Sequence, residues 1–231
     1  MSDLIKVSDL TKKYSRKTVL NGINFTFKEG EIYGLVGNNG VGKTTLLRII
    51  ADMARPTNGK VEVIKKDLRM GTLIESPALF RDMTGYENLR LKTLACGYKY
   101  TKQQLVERLK EVGLNKDGKL VLKYSTGMKQ RLGIAMALLD EPDLLILDEP
   151  INGLDPRGIA DVRNLLKRIH AESTSTMIIS SHILDELLRV ATYFLFIKDG
   201  HIVYDISVED LLKEIGDGDI NDYYLSIMAR E

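Results

Sequence analysis

The sequence predicts an α/β fold with a mainly parallel core sheet, and three features of the chain indicate it. Short apolar segments alternate with helical ones from about residue 140 onward, strands near the N-terminus are joined by turns, and a helical stretch lies in between. Alternating strands and helices are typical of a parallel sheet, because each crossover connection places a helix on a face of that sheet. We therefore expect a core sheet, an antiparallel β-subdomain near the N-terminus and an inserted α-helical subdomain.

The first part of the chain is predicted to consist of strands separated by turns. Short apolar runs bounded by turn residues are the usual signal of strands. A glycine-rich loop and a helix follow the third of these strands. The predicted strands span residues 4–10, 19–27, 31–36, 61–64 and 70–75, and the predicted helix spans 46–53.

Residues 84 to about 140 are predicted to be helical. Two segments in this stretch lack β-branched runs and end near Gly97 and Gly113, and glycine is common just past a helix end. Ser125 is a suitable N-cap for a further helix. Apolar residues follow it at helical spacings of four, three and four, at Met128, Leu132, Ala135 and Leu139.

Strands and helices alternate through the rest of the chain. Asp155 and Pro156 suit the cap and first position of a helix. Asp199-Gly200 is a favoured dipeptide for a hairpin turn. The predicted strands span 144–148 and 176–180, a helix spans 183–191, a hairpin spans 193–205, and two short helices form a tail over 207–231.

Size and composition are ordinary for a globular domain. The 231 residues are 44% hydrophobic and 28% charged. The net charge of +1 argues against nucleic-acid binding as the main task, since binders usually carry a basic excess. A single cysteine, Cys96, excludes an internal disulfide and fits a reducing compartment. No apolar run approaches the ~20 residues of a membrane-spanning helix, so we expect that the chain does not cross a membrane by itself.

The stretch GNNGVGKTT, residues 37–45, matches the phosphate-binding pattern G-x-x-x-x-G-K-[ST]. Its glycines allow backbone N–H groups to face phosphates, and the following helix N-terminus adds positive potential. Lys43 would reach the β- and γ-phosphates, and Thr44 would hold Mg²⁺. The alternative is a glycine-rich turn that arises by chance, but a predicted strand before the loop and a helix after it favour the phosphate site.

Two consecutive acids lie at the end of the predicted strand LLILD: Asp148 is its last residue, and Glu149 follows it. They supply the metal-binding and proton-accepting groups that a phosphate loop needs. Asp148 would bind Mg²⁺ through water, and the adjacent Glu149 would accept a proton from the attacking water. A strand that simply ends in a polar turn is the alternative. Consecutive acids after four apolar residues, in a chain with a phosphate loop, favour the catalytic interpretation.

Residues 124–156 resemble the signature helix, acidic motif and D-loop of ABC-type ATPases. The family signature LSGGQ appears as YSTGM, which keeps Ser125 and Gly127 but departs at the first, third and fifth positions. In this family the signature touches the γ-phosphate of ATP held by the other subunit. A hydroxyl, an N–H group and a helix N-terminus suit that task. Asn152 to Asp155 match the D-loop.

Further positions follow from the resemblance, which covers residues 3–205. His182 matches the switch histidine that contacts γ-phosphate, although by itself it would be read as a capping or buried histidine. Tyr14 matches the aromatic that stacks on adenine, although by itself it would be a surface or core tyrosine. The implied nucleotide contacts are Tyr14, Val19, Gly37, Asn38, Asn39, Gly40, Val41, Gly42, Lys43, Thr44, Thr45, Ser125, Gly127 and Asp155.

Glu75 is an informative departure from the family pattern, which usually has Gln at this point. A carboxylate is a better ligand for a hard cation than an amide, so we predict that Glu75 joins Thr44 and Asp148 at Mg²⁺ and takes part in catalysis with Glu149 and His182. A solvated loop acid is the alternative. With YSTGMKQR and EPINGLDP, a glutamate here resembles ATPase subunits of exporters that confer bacitracin resistance or lantibiotic immunity.

The resemblance implies an ATP- and Mg²⁺-dependent subunit of an exporter of antimicrobial peptide or a similar amphipathic compound. Two such ATPases, identical or different, would pair head to tail, and a separate membrane permease would dock around residues 77–87, which places the chain on the cytoplasmic face of the membrane. The competing class is a soluble ABC ATPase, for example in cluster assembly, whereas a P-loop kinase leaves the signature unexplained. The expected parts are a nucleotide-binding core (1–75 and 141–206), a helical subdomain (76–140) and a helical tail (207–231).

Overall fold

Two β-sheets organise the part of the chain that the computed structural model describes, which is residues 2–173, 175–216 and 218–229. Asp217, Arg230 and Glu231 of the predicted tail lie outside the described residues. The strands are β1 Asp3–Tyr14, β2 Lys17–Lys28, β3 Ile32–Val36, β4 Asn58–Val63, β5 Met70–Leu73, β6 Leu144–Asp148, β7 Thr176–Ser181, β8 Tyr193–Lys198 and β9 His201–Ser207.

Eight α-helices and one short 3-10 helix, Val121–Lys123, accompany the strands within the described residues. Helices near residues 208 and 220 agree with the two short helices predicted for the tail. The α-helices are α1 Lys43–Ile50, α2 Gly85–Cys96, α3 Lys102–Glu111, α4 Thr126–Ala137, α5 Pro156–Ser173, α6 Leu184–Leu188, α7 Val208–Ile215 and α8 Ile220–Ala229.

The core sheet has the order β5-β6-β7-β3-β8-β9, and its first five strands run parallel. Every residue of β3, β6 and β7 is buried, as expected for strands with helices on both faces. β9 runs antiparallel to β8 after a turn at Asp199 and Gly200, whose φ values of 49° and 79° match a type I′ hairpin turn. The predicted parallel fold and the hairpin are therefore confirmed.

A three-stranded antiparallel sheet, in the order β2-β1-β4, confirms the predicted β-subdomain near the N-terminus. Strand β1 continues four residues past the predicted end at Leu10. Lys12 pairs with Leu20 and Tyr14 pairs with Lys17. Thr11 of this extension is buried, Lys12 is half-buried, and Lys13 and Tyr14 are exposed. Three of these four residues are polar, so an apolar pattern could not reveal them, and pairing with β2 holds the extension in the strand.

The helical stretch between β5 and β6 also forms as predicted, with end caps that explain its boundaries. Thr84 and Thr101 each form a capping box with the residue three positions later. The Ser125 hydroxyl accepts a hydrogen bond from the Met128 N–H at 3.2 Å and so caps α4, as predicted. α2, α3 and α4 share one apolar core, to which Leu89, Leu105, Leu109 and Leu132 contribute fully buried side chains.

The predicted boundaries of α1, β5 and α6 are wrong, and local backbone geometry explains the first two. Helix α1 begins at Lys43, because the phosphate loop itself feeds into the helix. It ends at Ile50, where Asp52 adopts a left-handed φ of 56° and the Met53 N–H bonds back to the Arg48 carbonyl at 2.8 Å. Strand β5 ends at Leu73, since Glu75 has a φ of 65° that cannot continue a strand. Helix α6 is also shorter than the predicted 183–191.

Candidate nucleotide-binding site

The predicted phosphate loop and acidic residues meet at the carboxyl ends of three neighbouring strands. Val36 at the end of β3 pairs with Ser181 of β7, and Asp148 at the end of β6 pairs with Ser180 of β7. In-register parallel strands bring the segments that follow them to the same edge of the sheet. Ligands bind at this edge in open α/β sheets.

Lys43 lies inside the phosphate loop and is buried. Its ammonium donates hydrogen bonds to the carbonyls of Gly37 at 2.7 Å and Asn38 at 3.3 Å. Burial lowers the pKa of Lys43, and the negative charges of Glu149 and Asp148 partly offset that effect. The loop therefore holds a positive charge in place at the start of α1.

Gly42 shapes the entry into α1. It has a φ of 114°, and a Cβ atom at this position would lie 2.7 Å from Leu20 Cδ2 and 2.8 Å from the Val19 carbonyl oxygen. Among the described residues, no side chain forms a hydrogen bond that caps the start of this helix. The N–H groups of its first turn, which includes Thr44 and the half-buried Thr45, therefore stay available to an anionic ligand.

Asp148 is buried and hydrogen-bonded on both carboxylate oxygens. The Thr44 hydroxyl donates to Oδ2 at 2.7 Å, and the Ser180 hydroxyl donates to Oδ1. The same Ser180 oxygen accepts a hydrogen bond from the Glu149 N–H at 2.9 Å. Ser180 thus orients both acids. Sequence reasoning missed it, although a serine that ends an otherwise apolar strand was a usable signal.

Glu149 connects the loop to the segment after β7. Its Oε1 lies 3.8 Å from the Lys43 ammonium, and its Oε2 lies 2.8 Å from His182 Nδ1. The Glu149 backbone has a φ of 49°, in the left-handed region, so β6 cannot continue through it. His182 is 42% exposed and therefore reachable by a ligand. The structure brings together Lys43, Thr44, Asp148, Glu149 and His182, as predicted from the sequence.

The oxygens of Thr44 and Asp148 fit the demands of Mg²⁺. This ion takes few protein ligands and completes an octahedron with water and phosphate oxygens. Glu75 is placed otherwise, because its Oε1 forms an ion pair with Arg48 Nη2 of α1 at 2.6 Å. Within the described residues no group of three or more His, Cys, Asp or Glu side chains could hold a metal on its own.

The side chains of Ser125 and Asp155 form only local hydrogen bonds in the described structure, and none of these bonds involves the clustered residues. Ser125 caps α4, and Asp155 Oδ1 accepts from the Gly158 N–H at 2.7 Å to cap α5 as predicted. Both residues are exposed. A Cβ on Gly127 would meet only Leu154 Cδ2, at 3.6 Å, so space remains around it.

Val19 lies beside the phosphate loop, whereas Tyr14, the residue predicted to stack on adenine, lies on the β1–β2 hairpin. Val19 and residues 38–41 line a cavity of about 320 Å³ with Met228 of α8. Tyr14 is 45% exposed at the tip of the β1–β2 hairpin, and the Lys12 ammonium sits 4.8 Å from its ring centroid. Tyr14 is thus accessible but does not line that cavity.

Comparison with known families identifies this arrangement. Residues 20–152 match the model of the ABC transporter family. The chain belongs to this family. It is 41% identical to the bacitracin transport ATP-binding protein BcrA of Enterococcus faecalis, over 92% of this chain and 72% of the relative. It is 39% identical to the lantibiotic transport ATP-binding protein SrtF of Streptococcus pyogenes, over 87% of this chain and 90% of the relative.

A solved structure of another ABC transporter ATPase shows the same fold. The ATP-binding cassette MJ0796, a dimer bound to ADP and Pi, superposes with a TM-score of 0.78 at 25% identity, over 89% of this chain and 99% of that one. This ABC ATPase therefore shares its fold with a nucleotide-bound cassette. Among the helices in the described ranges, none combines the length and apolar character required to span a bilayer.

Proposed function

We propose that this ABC ATPase binds and hydrolyses ATP to drive an exporter of antimicrobial peptides or similar amphipathic compounds. The contact network of Lys43, Thr44, Asp148, Glu149 and His182 at one sheet edge is the observation that carries the ATPase assignment. The type of cargo is proposed from the similarity to BcrA and SrtF, whose names assign them to bacitracin and lantibiotic transport.

The roles of the clustered residues follow from their geometry. Lys43 supplies positive charge to the β- and γ-phosphates, and the free N–H groups at the start of α1 hold phosphate oxygens. Glu149 accepts the proton of the attacking water. Its hydrogen bond with His182 orients the carboxylate and keeps the imidazole at the γ-phosphate end of the site.

Mg²⁺ would be held by the Thr44 hydroxyl and, through water, by Asp148. When bound, it neutralises negative charge on the phosphate oxygens. We propose that Glu75 also reaches this metal. This would require its ion pair with Arg48 to break. Glu75→Gln should then shift the Mg²⁺ concentration that gives half-maximal hydrolysis, whereas unchanged metal dependence and turnover would refute the role.

The exposed Ser125 and Asp155, together with the half-buried Gly127, support a head-to-tail pair. A helix N-terminus with an exposed hydroxyl and space around Gly127 can approach a phosphate from outside. Each ATP would lie between the phosphate loop of one copy and Ser125 and Gly127 of the other, whether the copies are identical or different. ATP then favours the closed pair because it supplies the bridging contacts, and hydrolysis removes them.

A separate permease is proposed to dock on residues 77–87, which would place the ATPase on the cytoplasmic face of the membrane. Phe80 in this segment is 54% exposed. The buried Asn88 holds its backbone, since the Phe80 N–H donates to Asn88 Oδ1 at 2.9 Å and Asn88 Nδ2 donates to the Phe80 carbonyl at 3.0 Å. An apolar ring on a rigid backbone is a suitable anchor for a partner.

The test is a pull-down of the tagged ATPase from gently solubilised native membranes, with the partners identified by mass spectrometry. We expect a stoichiometric polytopic membrane protein that is lost with Phe80→Glu. The control variant Lys60→Glu, on an exposed strand of the other sheet, should retain it. Recovery of cytosolic partners alone would overturn the exporter assignment and favour an ABC ATPase that moves no solute.

A further inference from the structure

Helix α8 contacts the phosphate loop directly, and none of the roles above uses this contact. The Tyr224 hydroxyl donates a hydrogen bond to Asn38 Oδ1 at 3.1 Å, and Met228 lines the cavity that residues 38–41 also line. Asn38 belongs to the predicted nucleotide-binding loop. A helix near the end of the described chain therefore forms part of the wall beside that loop.

The body of α8 is fixed independently of Asn38. Ile220 and Ile227 are buried in the main core, and the Tyr224 ring centroid lies 6.1 Å from that of Phe196 in β8. Asn221 Nδ2 also donates to Asp185 Oδ2 of α6 at 3.2 Å. Since these contacts anchor the helix, the Tyr224 hydroxyl restrains the loop rather than the reverse.

Asn38 is a sensitive point at which to hold the loop. Its backbone carbonyl accepts hydrogen bonds from the Lys43 ammonium at 3.3 Å and from the Val41 N–H at 3.3 Å. Its side chain accepts a hydrogen bond from Tyr224, so Asn38 connects α8 to the Lys43 ammonium. Burial raises the pKa of Tyr224, which keeps the hydroxyl protonated and able to donate.

We propose that Tyr224 is a positioning residue that holds Asn38, and through it the phosphate loop, in the shape that binds nucleotide. A loop ordered before binding loses less conformational entropy when the ligand arrives, so nucleotide affinity depends on this contact. Tyr224 does not touch Glu149 or His182, and the turnover of bound ATP does not depend on it. The inference rests on the proposed role of the loop in nucleotide binding.

The experiment compares Tyr224→Phe with Tyr223→Phe in the full chain. Tyr224→Phe removes only the hydroxyl and keeps the ring against Phe196. Tyr223 is its neighbour on α8, and its hydroxyl donates to Glu214, away from the loop. Loss of one hydrogen bond near solvent should raise the Kd for ADP and the KM for ATP about two- to tenfold, with kcat unchanged. Tyr223→Phe should leave both constants at the wild-type values.

A double-mutant cycle separates positioning from general stability. In an Asn38→Ala background, Tyr224→Phe should have no further effect on the Kd for ADP, because its partner is already gone. Hydrogen exchange of the amides in residues 37–45 should be faster in Tyr224→Phe alone. An unchanged Kd in Tyr224→Phe, or equal weakening in Tyr223→Phe, would overturn the inference while wild-type binding upholds the proposed function. Failure of the wild-type protein to bind ADP would overturn both.

Discussion

The start of α1 and the start of α4 are both helix N-termini, yet their surroundings differ. The first has no side-chain cap and is surrounded by the buried Lys43 and Asp148, with Glu149 in contact. The second is capped by the exposed Ser125. Within the described structure, no ion pair like that of Lys43 and Glu149 is formed at this helix start. The start of α1 is therefore lined by charged side chains of its own chain that can contact a ligand, whereas the start of α4 has only an accessible surface.

The difference teaches how this ATPase divides its work. Residues that bind phosphate and accept a proton must be oriented before the ligand arrives. Lys43 and Asp148 are accordingly buried, Thr44 and Glu149 are half-buried, and all four form hydrogen bonds or ion pairs within one chain. Residues that would contact the nucleotide of a second copy need to be accessible and to have space around them. We propose on this basis that the α1 face works within one copy and the α4 face works only across a pair.

The largest expected effect is that of Glu149→Gln on the α1 face. The amide keeps the size of the side chain but cannot accept the proton, so kcat for ATP hydrolysis should fall about 10²- to 10³-fold while ATP binding persists. Phosphate release measures the rate, and light scattering should show dimers that accumulate with ATP. Glu209→Gln, at an exposed carboxylate on α7, is the control. Wild-type turnover in Glu149→Gln would remove it as the base.

Lys43→Ala tests the same face through binding. The change removes the buried ammonium that would meet the phosphates, and charge-assisted hydrogen bonds are strong, so the Kd for ATP should rise about hundredfold or more. Calorimetric titration measures it, with the exposed Lys167→Ala on α5 as the matched control. Nucleotide binding that survives Lys43→Ala would refute the phosphate-loop assignment.

Gly127→Ala tests the α4 face and should give a smaller loss. The new methyl fits the single chain, with Leu154 Cδ2 at 3.6 Å, and alanine favours a helix more than glycine does, so the melting temperature should not fall. In a closed pair the added methyl would crowd the nucleotide of the other copy. A destabilisation of the closed pair by about 1.4 kcal/mol would lower the rate of ATP hydrolysis about tenfold.

Mixing the two defective variants sharpens the comparison further. If identical copies pair, a mixture of Gly127→Ala and Lys43→Ala proteins forms one site with an intact loop and an intact α4. Part of the lost ATPase activity should then return. Wild-type turnover in Gly127→Ala alone would show that the α4 face does not approach nucleotide.

The smallest effect on function is expected at the opposite edge of the sheet. Burial alone would raise the pKa of Asp143, but hydrogen bonds from Arg69 and Lys65 outweigh it and lower the pKa to about 2. A carboxyl whose pKa is lower in the folded state stabilises the fold at pH values above its unfolded pKa of 3.8. That stabilisation is lost as the pH falls toward 2. Asp143→Asn should cost about 2 kcal/mol at pH 7 and less at pH 3.

Urea unfolding at the two pH values measures this difference. The Kd for ADP should stay at its wild-type value, since Asp143 belongs to neither face. A stability loss that is equal at pH 7 and pH 3 would contradict the proposed charge network, and a changed Kd would show that the two edges of the sheet are coupled.

Most of the site could be predicted from local patterns. The spacing of Gly37, Gly42 and Lys43 and the paired acids after β6 indicated the phosphate site, because such loops need specific residues close together in the chain. Ser125 and Asp155 were predicted as helix caps for the same reason, since a cap bonds to an N–H only a few residues away.

Sequence by itself therefore determined the parallel fold, the phosphate loop and the caps, which depend on short-range spacing and on apolar periodicity. Only the tertiary structure decided that Ser180 orients both acids, that Glu75 pairs with Arg48, and that Tyr224 reaches Asn38. Asn38 and Tyr224 are 186 positions apart in the chain. Contacts of that kind depend on which strands become neighbours and how helices pack on them, and packing of the whole core sets both.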